Sequence, residues 1–258
     1  NYGIDTVAFH FPVDIGDCDR DSSIWDYEGT RNLQKSELEG GSLVANFPCG
    51  HANVHVNLYF ASSRCRIEVN AARVISPKSH TLLPPGALCR VVELILDNLT
   101  GVVTPSFDSL NEDGELVRDP NWKEQVLFTR IDVTRDFLVS NPSAVRLGLA
   151  HVKSKNQKSH KITTSPNDGW SIEFGTKYEG KDIFYDKEAE LSQHNAEIPN
   201  YPEGVLYRFE GVLKKSRLVS SGMKRLSDVT DERVWSAIET RWEKTGWNTP
   251  LPGSTGLL

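Results

Sequence analysis

Three short segments share one period-two pattern, and they constrain the fold more than any other feature. Arg66-Ile67-Glu68-Val69, Arg130-Ile131-Asp132-Val133 and Arg208-Phe209-Glu210-Gly211 each place an acid two positions after an arginine, with apolar residues between and after. In a β-strand, residues two apart share a face. Each segment therefore offers an Arg–acid face and an apolar face, as half-buried strands of one sheet do. Side by side, the acids Glu68, Asp132 and Glu210 are expected to converge on a hard divalent cation, Mg²⁺ or Mn²⁺, which prefers oxygen ligands. The plainer alternative is a cross-strand ladder of Arg–acid pairs on a solvated face.

Further strands are predicted over residues 4–11, 54–60, 170–174 and 182–185. Helices are predicted from Pro85 to Leu99, from Ser140 or Asn141 onward, over 187–193, and after the Thr230 cap, where Val234, Trp235, Ile238 and Trp242 form one stripe. Residues 13–45 read as an acidic loop or irregular hairpin, and 104–122 as a polar loop. Strands joined by short turns outnumber helices. The expected fold is α+β, a central antiparallel sheet with helices packed on one face. Residues 1–226 are read as the catalytic domain. Residues 227–258 are read as a C-terminal helix and loose tail packed on it.

The net charge of −6 argues against a simple nucleic-acid binder. Yet residues 1–50 hold nine acids against three bases, which accounts for the whole excess. Elsewhere Lys153, Lys155, Lys158 and Lys161 form one basic run. Arg208, Lys214, Lys215 and Arg217 belong to another that reaches Arg225. Local basic stretches, rather than net charge, decide phosphate contact. Arg66, Arg130 and Arg208 are candidate phosphate clamps as well. No apolar stretch is long enough to span a membrane and no signal-peptide pattern opens the chain. The four cysteines show no paired spacing, so the reading is a reducing cytoplasm. Cys49, His51 and His55 form only a loose cluster, short of a zinc site.

Tyr185 ends the strand 182–185, and Lys187 is expected two residues on along the same face. A phenol is a weak nucleophile at neutral pH. A lysine cation beside it would favour the phenolate or hold a phosphate. Attack by tyrosine, unlike attack by water, stores the phosphodiester as a protein–DNA bond.

In order, these segments resemble the gene II/gene X replication initiators of filamentous phages. Ile4-Asp5-Thr6-Val7-Ala8-Phe9-His10-Phe11-Pro12 resembles the family's opening strand. Glu68 precedes His80 by the family's twelve-residue spacing. Thr129-Arg130-Ile131-Asp132 resembles its Ser-Arg-Ile-Asp strand. Tyr185, Lys187, Glu190 and Leu191 match its Tyr-x-Lys-x-x-Glu-Leu motif, and Tyr207-Arg208-Phe209-Glu210 is similar to its Val-Arg-Phe-Glu strand. The resemblance implies a Rep-nuclease-like fold and rolling-circle replication from a single-stranded or supercoiled origin in the bacterial cytoplasm, alongside host helicase and polymerase. It gives Tyr185 the role of nucleophile in metal-dependent nicking and rejoining. Ligation by Glu68, Asp132 and Glu210 follows from the residues themselves, and the resemblance adds His80 as a candidate fourth group. Two other functions fit the same pattern: a non-enzymatic origin-binding protein, and a metal-dependent nuclease that uses water.

Overall fold

A computed structural model describes residues 1–16, 42–78, 81–145, 160–164, 170–176, 180–199, 201 and 204–245. Eleven strands run in chain order: β1 (Tyr2–Pro12), β2 (Ser42–Cys49), β3 (Ala52–Tyr59), β4 (Arg64–Asn70), β5 (Asp108–Leu110), β6 (Leu116–Arg118), β7 (Leu127–Val139), β8 (His160–Thr164), β9 (Trp170–Thr176), β10 (Gly180–Asp186) and β11 (Val205–Lys214). The α-helices used below are α1 (Ala71–Ile75), α2 (Leu88–Leu99), α3 (Trp122–Gln125), α4 (Lys187–Gln193), α5 (Ser216–Ser220) and α6 (Asp231–Lys244).

Among the described residues, nine strands make one sheet in the order β2-β3-β4-β1-β7-β11-β10-β9-β8. Every neighbouring pair is antiparallel. The α+β expectation holds, and the three acid-bearing strands lie near the sheet centre as β4, β7 and β11, with β1 between β4 and β7.

Alternation decides which face is buried. Cys65, Ile67 and Val69 of β4 point inward, as do Val7, Phe9 and Phe11 of β1 and Tyr207, Phe209 and Leu213 of β11. α2 seals this face with Leu88, Val91, Val92, Ile95 and Leu99, all almost fully buried. α6 adds aromatic contacts. Trp242 stacks on Phe137 at 4.9 Å and meets Phe209 edge-on at 5.3 Å, while Trp235 packs on Tyr2 at 5.0 Å. Burying each large apolar side chain contributes about 1.5–3 kcal/mol, so the helices are held to one face by their stripes. The polar face of β4, β7 and β11 is left to carry charged groups.

Two segments differ from expectation. Part of the predicted acidic loop is strand β2. Its inward residues Ala45, Phe47 and Cys49 alternate properly, but Pro48 argues against a strand. The position is permitted because β2 lies at the sheet edge, where a missing N–H leaves no ladder bond unmade. The predicted polar loop 104–122 contains the small hairpin β5–β6 and runs into α3. Residues 17–41 and 246–258, which include most of the acidic loop and the predicted loose tail, lie outside the described residues, and so does most of the helix after Asn141.

Candidate active site

Tyr185 belongs to β10, where Lys181, Ile183 and Tyr185 alternate with the inward Asp182, Phe184 and Asp186. The strand ends at Asp186. Its carboxylate accepts from the Ala189 N–H at 3.0 Å and caps α4. Lys187 is therefore the first residue of a helix, not a further strand position as expected. It still reaches the tyrosine: its buried ammonium lies 5.8 Å from the centre of the Tyr185 ring and pairs with Glu190 at 2.5 Å.

On β11 next to β10, Tyr185 stands opposite Arg208. Glu210, two residues on, shares that face, and the Tyr185 hydroxyl donates to its carboxylate at 2.5 Å. Burial and the Glu210 charge hold the phenol well above its ordinary range. Burial, with the nearby Asp5 charge, pushes the Glu210 carboxyl up to about 7. A carboxylate poised near neutrality and bonded to a phenol is well matched to take its proton.

Asp132 on β7 is 1% exposed. Burial and the Asp5 charge raise its carboxyl to about 6, against the pull of Arg130. Arg130 binds it through Nε at 2.8 Å and a terminal nitrogen at 2.5 Å. The other terminal nitrogen of Arg130 donates to Glu68 at 3.1 Å. Glu68 also accepts from Arg66 at 2.7 Å. Burial acts to raise the Glu68 carboxyl, yet Arg66 and Arg130 together hold it below its ordinary value.

The three expected acids therefore divide. Asp132 and Glu210 line one cavity of about 360 Å³ together with Tyr185, Lys187 and Arg130. Glu68 does not line it; it is bound to Arg66 and Arg130 in an Arg–acid ladder. Among the described residues no three His, Cys, Asp or Glu side chains stand as a ready-made ligand set. His80, the fourth expected group, lies outside the described residues. The Cys49/His55 cluster is split between the two faces, Cys49 in the core and His55 on the polar face bonded to Asn46 at 2.9 Å.

Asp5 lines the cavity that Glu68 does not reach. Ile4 pairs with Val133 and Val7 with Ile131, so Asp5 and Thr6 both stand opposite Asp132. This bulge breaks strict alternation and turns Asp5 into the cavity, as bulges beside sites do. Asn70 fixes its carboxylate with a 3.1 Å bond. Glu190 also lines the cavity. Asp5 and Glu190 both fall in the motif segments quoted above, but period-two reasoning assigned neither a role.

The basic residues are used differently from what composition suggests. Arg208 is 0% exposed and binds Asp136 through Nε at 2.7 Å and a terminal nitrogen at 3.1 Å, so it braces the sheet and is closed off from solvent, unlike the exposed clamp expected of it. Arg217 is held on Asp182 at 3.3 Å on the helical side. Lys214 ends β11 opposite Arg130, and Lys215 is exposed beyond it. Lys153, Lys155 and Lys158 lie outside the described residues, as does the side chain of Lys161 in β8.

Residues 59–234 match the family model for the N-terminal region of the phage gene II replication-associated protein. That span is more than half of the chain. The chain belongs to this family of phage replication-associated proteins. The matched stretch carries Asp132, Tyr185, Lys187, Glu190 and Glu210, while Asp5 reaches the cavity of this replication-associated protein from a strand before it. A comparison with curated proteins finds no match. Among the described residues no helix is long and apolar enough to cross a membrane.

Proposed function

We propose that this phage replication-associated protein initiates rolling-circle replication by nicking and rejoining one strand of origin DNA through Tyr185. The observation that carries the reading is the 2.5 Å bond from the Tyr185 hydroxyl to Glu210 at the wall of an acid-lined cavity. Glu210 accepts the phenolic proton. The phenolic oxygen attacks the scissile phosphorus, and the bond from phosphorus to the 3′-oxygen breaks. The 3′-oxygen takes a proton from solvent water and leaves as a hydroxyl, and the 5′-phosphate stays on Tyr185. A host polymerase extends such a 3′ end. Rejoining runs the same steps backward, with Glu210 returning its proton. Lys187 and Arg130 face the cavity as cations for the phosphate oxygens.

The donor set also suits Mg²⁺ or Mn²⁺. Asp5, Asp132 and Glu210 are hard oxygen donors on one cavity, and burial together with the Asp5 charge raises the carboxyls of Asp132 and Glu210, a cost that a bound cation would offset. When bound there, a divalent cation supplies positive charge to the scissile phosphate. The test is incubation with a single-stranded origin oligonucleotide followed by denaturing electrophoresis. The intact chain forms a covalent adduct and Tyr185→Phe forms none. Cleavage without adduct by both proteins would assign the attack to water, and no cleavage by either would leave origin binding alone.

A further inference from the structure

The opposite face of the sheet carries a second polar cavity. Asp182 lies three residues before Tyr185 on β10 and points the other way, into the helical layer. Between α5 and α6, above Asp182, lies a cavity of about 220 Å³.

The charges of α6 are sorted around its axis. At about 100° per residue, Arg233, Ala237, Thr240 and Lys244 fall on one stripe, and all line the cavity. Glu232, Glu239 and Glu243 gather about 100° away, and none lines it. Val234, Ile238 and Trp242 take the side that packs on the sheet.

The cations of the cavity outnumber their carboxylates. Arg241 and Arg217 share one acid, the buried Asp182. Arg241 binds it through Nε at 2.8 Å and through a terminal nitrogen, and Arg217 reaches it at 3.3 Å. Arg233 pairs with Asp228 at 3.1 Å and donates to the Gly222 carbonyl at 2.8 Å. Lys244 has no carboxylate partner among the described residues. The hydroxyl residues Ser220, Ser221, Ser236 and Thr240 also line it. Fixed guanidinium groups, a free ammonium and neutral hydroxyls, with no carboxylate in the lining, suit a small anion with several acceptor oxygens.

We propose that this cavity is a second phosphate site, and that it takes one backbone phosphate of the DNA on the face opposite Tyr185. The assignment to DNA rests on the nicking reading. The site holds the strand away from the cut through a contact that carries no sequence information.

The test uses the full chain in chelator, so that no strand is cut. Amide shifts of residues 216–222 and 233–244 are followed by NMR with inorganic phosphate and, separately, with a single-stranded origin oligonucleotide. Both probes shift these amides. Lys244→Glu, an exposed position, lowers oligonucleotide affinity about tenfold and reduces the salt slope by about one. Three results overturn the proposal: no shift with either probe, shifts with inorganic phosphate alone, or unchanged affinity in a Lys244→Glu protein of native circular dichroism. Adduct formation by the unaltered chain scores the nicking reading separately. An adduct without shifts sinks this site alone, and shifts without an adduct sink the nicking reading alone.

Discussion

Tyr185 and Glu210 lie on neighbouring strands, one step diagonally apart, and the phenol of the first donates to the carboxylate of the second at 2.5 Å. Burial and the Glu210 charge keep Tyr185 protonated, so the hydroxyl needs its acceptor in order to react. Glu210→Gln keeps the shape and removes the base. The rate of adduct formation is expected to fall about 10²- to 10⁴-fold, measured by quenched-flow sampling on denaturing gels. A loss of less than threefold would move the base to another group.

Asp5 and Glu68 separate the cavity from the ladder beside it. Asp5 shares the cavity with Asp132 and Glu210, whereas Glu68 is held by Arg66 and Arg130 outside it. Asp5→Asn is expected to weaken Mn²⁺ binding at least tenfold in calorimetric titration, and Glu68→Gln to change it by less than threefold. Equal losses would return Glu68 to the ligand set.

In the metal-free protein, Asp132 and Glu210 make stability depend on pH. Their folded carboxyls are raised to about 6 and about 7, so the fold favours their protonated forms. The stability they contribute is fully present below the ordinary carboxylate range and is lost as pH rises through 6 to 7. Urea unfolding in chelator should show a decline on the order of a few kcal/mol from these two groups across that window. Added Mg²⁺ should flatten it. A rise in stability attributable to these carboxyls over the same window contradicts the arrangement.

Substitution of Arg208 distinguishes a brace from a phosphate clamp. It is fully buried on Asp136. Arg208→Ala strands a nearly buried carboxylate, and its expected cost is about 3–5 kcal/mol, read from chemical denaturation. A direct phosphate contact would instead leave stability near wild type and lower the salt slope of DNA binding.

Much of this site was legible in the sequence because strands of period two reveal their faces without neighbours. The segment Arg66–Val69 lies within β4, and the helix 187–193 is recovered in full. Thr230 caps α6 as read, its hydroxyl accepting from the Arg233 N–H at 3.3 Å. Periodicity failed where local geometry breaks parity. The β1 bulge that turns Asp5 inward depends on register with β7, which one strand cannot report. The pairing of Arg208 with Asp136, 72 residues earlier in the chain, depends on strand order. So does the capture of Glu68 by Arg130 across β1. β2 begins inside the segment read as an acidic loop, and its Pro48 is tolerated because the strand lies at an edge, which is a property of the assembled sheet.

Peptide mapping of the trapped protein–DNA complex tests the central claim most directly. After nuclease digestion, tandem mass spectrometry should find a residual 5′-nucleotide on the Tyr185 peptide, joined through the phenolic oxygen. A nucleotide on any other side chain, or a cleaved strand with no modified peptide, would contradict the account.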